Sequence, residues 1–239
     1  MKLSKSFVGS GSNIILFFPF WGGKPWHYKI LYRFLCKSAT CVFYDYSTDI
    51  LSSDVEATRE NIIEVLNDAR STIEDYKRAS VFGSSLGSFI ALLLAASEPK
   101  VEKIVLNTGG ASLAEAVWLG EATKNIKKRL EEKGWSLTKL KEAWSILEPN
   151  LLAINNRLFL IMQSLHDNTI LKENQMRLLE QLCRNNLVTI VNTRLGHRAA
   201  LIRNLLRIPT IARFLWAVSY THLRAHETRH DLVCRLLLE

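Results

Sequence analysis

The 239-residue sequence predicts an α/β fold: a mostly parallel sheet of about six strands flanked by helices. Two observations predict it. Short apolar runs recur along the chain and alternate with longer amphipathic stretches, as in a sheet covered by helices. Each run is also almost continuously hydrophobic rather than alternating, which suits strands buried on both faces.

The runs occupy 13–19, 40–44, 79–82, 103–107, 157–163 and 187–192. Between them, 26–37 reads as a helix carrying Ile30, Leu31, Phe34 and Leu35 on its inner side. The stretch 54–76 reads as a longer helix, with Ser52 or Ser53 as its N-cap and Ile62, Val65, Leu66, Ala69 and Ile73 as its inner stripe. Residues 85–96 are almost wholly apolar, as a central buried helix requires. The interval 108–155 contains no strand candidate. Instead it holds basic helical stretches at 123–133 and 136–147, separated by Gly134 and followed by Pro149. Such an insertion predicts a helical cap, placed before the next strand where a substrate would enter. The alternative is one crossover helix with a long loop.

Composition narrows the class. Apolar residues make up 48% and charged residues 23%, the balance of an ordinary globular domain. No apolar run reaches the ~18 residues of a membrane span. The first residues carry Ser and Gly where a secretion signal needs an apolar stretch, so the expectation is a cytoplasmic protein. Cys36, Cys41, Cys183 and Cys234 form no CxxC pair and no metal-like spacing with histidine, and are expected to be reduced and mostly buried.

The formal charge of +8 concentrates late in the chain. Arg184, Arg194, Arg198, Arg203, Arg207 and Arg213 occur with no Asp or Glu between 181 and 219. The stripe lacks interleaved aromatics and matches no groove-reading motif, so no nucleic acid is expected. A weak attraction to anionic surfaces remains.

Residues 79–87 read ASVFGSSLG, an apolar strand running into Gly83-Ser84-Ser85-Leu86-Gly87 and then a helix. A G-x-S-x-G in this context is a nucleophile elbow, which lifts the Ser85 hydroxyl to the top of the sheet. The turn is so tight that the residues two before and two after the serine must be small. The hydroxyl lies at a helix N-terminus, where free N–H groups and the dipole favour developing negative charge.

Two further residues follow in the order serine, acid, histidine. Asp167 lies just past the run 157–163, and His197 follows the run 187–192 and opens the last helix. Both sit at the carboxyl ends of strands, where loops converge. His197 is the expected base for Ser85, and Asp167 the residue that fixes its tautomer. His166 is only a neighbour. Asp45 and Asp49 also follow a strand but precede the serine, which is the wrong order for the acid.

These features resemble the α/β-hydrolase family over roughly residues 14–215. The resemblance implies the α/β-hydrolase fold and an oxyanion hole made of two backbone N–H groups. One is that of Leu86, and the other comes from a loop after an early strand. The usual His-Gly of that loop is replaced here by Pro19-Phe20, followed by Trp21-Gly22-Gly23. Trp21 is the expected donor, with Phe20 as the alternative. The opening antiparallel hairpin common in the family is expected to be shortened or missing.

The nucleophile type excludes the branch of the family that uses an aspartate at the elbow. The expected activity is hydrolysis of a small-molecule carboxylic ester through an acyl-enzyme, in the manner of carboxylesterases and lipases, with no cofactor and no metal. The alternatives are a thioesterase or acyltransferase with the same triad, or a non-catalytic binding protein that keeps the fold. Trp118, Leu119, Trp135, Trp144 and Leu147 either line an acyl pocket or form the cap's own core.

The hydrolase domain is expected to span 1–217. Residues 218–239 resemble a translated sequencing adapter, which implies a non-native tail. The spacing of His222, His226 and His230 would otherwise invite a metal site on a helix face.

Overall fold

The computed structural model describes residues 1–37 and 39–216, so the tail lies outside the described residues. One sheet of seven strands runs through the molecule in the order β1-β3-β2-β4-β5-β6-β7. Six strands coincide with the predicted runs: β2 (Asn13–Phe18), β3 (Thr40–Tyr46), β4 (Arg78–Ser84), β5 (Val101–Asn107), β6 (Leu158–Ser164) and β7 (Leu187–Thr193). They are mutually parallel.

The seventh, β1 (Leu3–Val8), pairs antiparallel with β3 at the sheet edge, from Leu3 opposite Tyr46 to Val8 opposite Cys41. Its sequence, LSKSFV, alternates and leaves one face in water, so a search for continuous apolar runs passes over it. Among the described residues, one antiparallel strand precedes β2, where a shortened or missing opening hairpin was expected.

Side-chain alternation divides the core between the two faces of the sheet. Ile14, Leu16 and Phe18 of β2 pack into one cluster with α2 (Val55–Ile73) and α3 (Leu86–Ser97). Ile15 and Phe17 pack into the other with α1 (Lys29–Leu35), α8 (His197–Leu205) and α9 (Ile208–Trp216). There Phe17 stacks on Phe43 at 4.4 Å and on Phe82 at 5.5 Å.

Three local expectations are corrected. The first turn of the predicted helix 26–37 is a 3-10 turn, Pro25–Tyr28, whose buried Tyr28 sets the phase of α1. Leu31 and Leu35 follow it inward, whereas Ile30 and Phe34 are 43% and 52% exposed. The N-cap of α2 is Asp54, whose carboxylate accepts the Ala57 N–H at 3.0 Å. The predicted inner stripe of α2 is buried throughout. Finally, the chain returns from α1 into β3 so sharply that Cys36 and Cys41, expected as thiols, form a disulfide with Cα atoms 5.6 Å apart.

The segment between β5 and β6 contains α4 (Leu113–Leu119), α5 (Lys124–Glu132) and α6 (Leu137–Ala143), with Ser112 and Ser136 as side-chain N-caps of α4 and α6. Gly134, at φ 76°, makes the break between α5 and α6. Trp144 and Leu147 are fully buried, and Trp144 donates to the Val55 carbonyl at 3.0 Å, tying this segment to α2.

Glu148 closes the segment. One of its oxygens accepts the Ser112 hydroxyl at 3.1 Å and the Ala114 N–H at 3.0 Å, at the start of α4. Burial pushes its carboxyl above the usual range. A raised folded-state pKa means that the folded chain holds the proton more tightly than the unfolded one. The resulting stability is present below the ordinary glutamate range and is lost as pH rises through the folded value. Glutamine keeps the accepting oxygen but has no proton to lose. The Tm of Glu148→Gln relative to the parent is thus expected to rise between acid and neutral pH. A pH-independent difference in thermal melts would overturn this assignment.

Candidate active site

Strand β4 ends at Ser84 and α3 begins at Leu86. The single residue between them, Ser85, holds φ 49° and ψ −112°, a conformation that a non-glycine residue adopts only under constraint. The constraint is visible. The Ser85 N–H is held by the Asn107 carbonyl at 2.9 Å, and the Ser85 carbonyl accepts the Ser88 N–H at 2.8 Å. A Cβ on Gly83 would lie 2.3 Å from the Gly87 carbonyl oxygen, which is why the turn needs glycine there.

The three residues singled out from the sequence meet in front of this elbow. Ser85 Oγ lies 2.9 Å from His197 Nε2, and His197 Nδ1 lies 2.7 Å from Asp167 Oδ2. His197 is the first residue of α8, just beyond β7, and Asp167 follows β6. Three parallel strands thus deliver one group each from their carboxyl ends.

Asp167 is fixed independently of the histidine. Its Oδ1 accepts the N–H groups of Thr169 and Ile170, both at 2.8 Å. A carboxylate can only accept, so the proton it shares with His197 sits on Nδ1. Nε2 is thereby left bare to accept from the serine hydroxyl. Both residues are buried, at 8% and 5% exposure, so water competes little for these bonds. His166 is exposed, and Asp45 is engaged by Lys24 at 2.7 Å.

Behind the three lies a polar layer that the sequence did not announce. The buried Asn107, at the end of β5, donates to the Leu201 carbonyl of α8 at 3.1 Å. Asn204, also on α8 and fully buried, donates back to Asn107 Oδ1 at 2.9 Å. Asn107 therefore joins the Ser85 turn, through its carbonyl, to the helix that carries His197. The available signal was a polar residue closing an otherwise apolar run.

The loop after β2 reaches the same place. Phe20 and Trp21 line the cavity together with Ser85 and Leu86. The loop is tied by the Phe20 carbonyl, which accepts the Gly23 N–H at 2.6 Å, and by the Trp21 indole, which donates to the Thr48 carbonyl at 2.7 Å. The Leu86 N–H belongs to the first turn of α3 and has no intrahelical acceptor.

The cavity encloses about 580 Å³ and its walls are largely apolar, from Phe89 and Leu113 to Val117, Ile170 and Leu205. Among the described residues, Arg198 is the one lysine or arginine that lines it. None of Trp118, Leu119, Trp135, Trp144 and Leu147 lines it. Trp144 and Leu147 instead belong to the core, with Trp118 and Trp135 packed against it, and Leu119 is 48% exposed.

Among the described residues, no group of three or more His, Cys, Asp or Glu could hold a metal ion. No helix there is long and apolar enough to cross a membrane. His222, His226 and His230 lie outside the described residues.

No family model matches the sequence, and no curated protein matches it. Solved structures do. A lipase-esterase related protein from Clostridium acetobutylicum is 19% identical, with a TM-score of 0.58 over 89% of this chain and 99% of that one. An esterase from Pyrococcus furiosus is 14% identical, with a TM-score of 0.60 over 90% and 91% of the two chains. An alpha/beta hydrolase fold protein from Chitinophaga pinensis is 15% identical, with a TM-score of 0.58 over 90% and 94%. At such identities the likeness speaks for architecture alone, and the architecture is that of the α/β-hydrolase fold.

Proposed function

We propose that the chain is a serine hydrolase that cleaves carboxylic esters of apolar acyl groups through an acyl-enzyme intermediate. The observation that carries this reading is the continuous relay from Ser85 Oγ to His197 Nε2 at 2.9 Å and from His197 Nδ1 to Asp167 at 2.7 Å. It opens onto an apolar cavity. Solved neighbours described as an esterase and as lipase-esterase related agree with it.

In this mechanism the Ser85 oxygen attacks the ester carbonyl while its proton passes to His197 Nε2. The imidazolium is stabilised by Asp167 and then gives that proton to the departing alcohol as the C–O bond breaks. Water repeats the sequence on the acyl-enzyme, releasing the acid and regenerating Ser85. The oxyanion is received by the N–H of Leu86 and by that of Trp21, with Phe20 the alternative. Such a donor is typically worth ~3 kcal/mol in the transition state.

The hydrolase domain in this reading is 1–217, and the helices of 108–155 act as its cap. Leu113, Ala116, Val117, Ala122 and Thr123 supply the cap's contribution to the acyl pocket. The same relay would serve a thioesterase or an acyltransferase, because all three chemistries pass through an acyl-enzyme on the serine.

A fluorophosphonate probe tests the nucleophile. Labelling is expected in the parent and absent from Ser85→Ala. Labelling that persists in the alanine variant, or that fails in the parent, would overturn the assignment. Rates on matched p-nitrophenyl esters and acyl thioesters then identify the preferred bond.

A further inference from the structure

Two rows of apolar side chains stand exposed at the mouth of the cavity. Trp26, Ile30 and Phe34 recur at every fourth position and are 68%, 43% and 52% exposed. Ile202 on α8 and its C-cap Leu206 keep the same interval and are 64% and 53% exposed. Trp26, Ile30, Ile202 and Leu206 all border the cavity in front of Ser85. Ile30 and Phe34 also border the adjoining hollow that contains Tyr32 and Lys37. The rows are thus joined through Ile30 into one patch around the opening. Burying these side chains inside the domain was available to the sequence, since Leu31 and Leu35 on the same helix are buried.

Charge is distributed with the same bias. Both rows come from residues 1–44 and 181–216, which together hold twelve Lys and Arg and no Asp or Glu. Residues 45–180 hold sixteen Lys and Arg against twenty acids. The positive surplus of the described chain therefore lies in the two segments that also build the rim, three of whose twelve cations, Lys5, Lys24 and Arg184, pair with acids of 45–180. Lys29, Lys37, Arg198 and Arg203 form no ion pair among the described residues, so no described acid neutralises their charge.

Exposed Trp, Phe and Ile, with Arg198 in the cavity wall and Lys37 in the adjoining hollow, match an anionic lipid surface. The apolar groups enter the headgroup and acyl boundary while the cations meet the headgroups. We propose that this face docks on an anionic lipid bilayer, with the mouth of the cavity turned toward it. That docked acyl chains then reach Ser85 rests on the hydrolase reading above; the docking itself does not.

Co-sedimentation of the full chain carrying Ser85→Ala, which cannot turn over lipid, tests the proposal. The vesicles are phosphatidylcholine alone or mixed with phosphatidylglycerol, at low and high salt. Partition is expected to favour the anionic vesicles roughly tenfold or more, and to weaken with salt. Phe34→Asp should abolish most of the binding, and Lys37→Gln with Arg203→Gln should weaken it by about 25-fold. None of these residues lines the cavity. In the parent background the variants should therefore keep both the parent Tm and fluorophosphonate labelling, which guards against misfolding.

Equal binding to both vesicle types, binding indifferent to these variants, or no binding would overturn the proposal. So would dimerisation in light scattering that Phe34→Asp abolishes while vesicles remain unbound, since a second copy would then cover the patch. Vesicle binding without probe labelling in the parent would support docking and remove the hydrolase reading alone.

Discussion

Asp167→Asn is expected to lower kcat for ester hydrolysis about 10⁴-fold while leaving the fold intact. The size of the effect follows from how the carboxylate is held. Oδ1 accepts the Thr169 and Ile170 N–H groups at 2.8 Å each, and Oδ2 faces His197 Nδ1 at 2.7 Å. Asparagine is nearly isosteric but has one oxygen only. Two backbone donors compete for that oxygen, against one partner on the other side, so the amide oxygen takes the Oδ1 place. The amide NH₂ then points at His197 Nδ1 and donates to it. The imidazole must accept there, so its proton moves to Nε2, the nitrogen proposed to remove the Ser85 proton. A base with its lone pair blocked is worse than a slightly misplaced one. The Tm should change little, because both loop N–H bonds survive. Single-turnover kinetics and thermal melts check the two halves of the expectation. A loss of less than about tenfold in kcat would show that His197 is not oriented through Asp167.

That this relay could be named from the sequence at all reflects its chemistry more than its fold. Ser85 was legible because the elbow imposes small residues on both sides, and steric demands leave a local pattern. Asp167 and His197 were legible because each follows an apolar run, so strand ends could be counted without knowing how the strands pair. Asn107 and Asn204 were not. Their roles exist only once β5 and α8 are adjacent: a polar residue closing an apolar run hints at Asn107, and nothing local marks Asn204.

The same reason explains the misphased α1. The sequence offers Ile30, Leu31, Phe34 and Leu35 as one apolar side, yet a helix can bury only part of so wide an arc. The choice was made by Tyr28 in the preceding turn, and the rejected pair became part of the exposed patch. β1 escaped notice because an edge strand alternates. The cap-region tryptophans stood open between pocket and core until the packing of Trp144 against Val55 decided for core.

Gly87→Ala is expected to damage both stability and activity, and the two losses share one cause. A Cβ at this position would lie 2.1 Å from the Phe18 carbonyl oxygen, 2.6 Å from the Phe18 carbonyl carbon and 2.7 Å from the Pro19 carbonyl oxygen. These are backbone atoms at the end of β2, and backbone cannot step aside as a flexible side chain would. Two routes of relief exist. The first turn of α3 can withdraw, which moves Ser85 and Leu86. Otherwise the β2 end can withdraw, which moves the loop carrying Phe20 and Trp21. Either way, Ser85 and Leu86 separate from Phe20 and Trp21, which parts the two proposed oxyanion donors. Overpacking of this kind typically costs about 3 kcal/mol, or ~6–12 °C of Tm in a chain of this size. Losing a well-aimed oxyanion donor should lower kcat by a further 10²- to 10³-fold. Gly134→Ala provides the contrast. It is strained by φ 76° but meets no atom within 4 Å, so it should lose about 1 kcal/mol of stability and leave kcat near the parent value. If Gly87→Ala behaved like Gly134→Ala in melts and in kcat, the close approach of α3 to the β2 loop would not be the element that sets the geometry around Ser85.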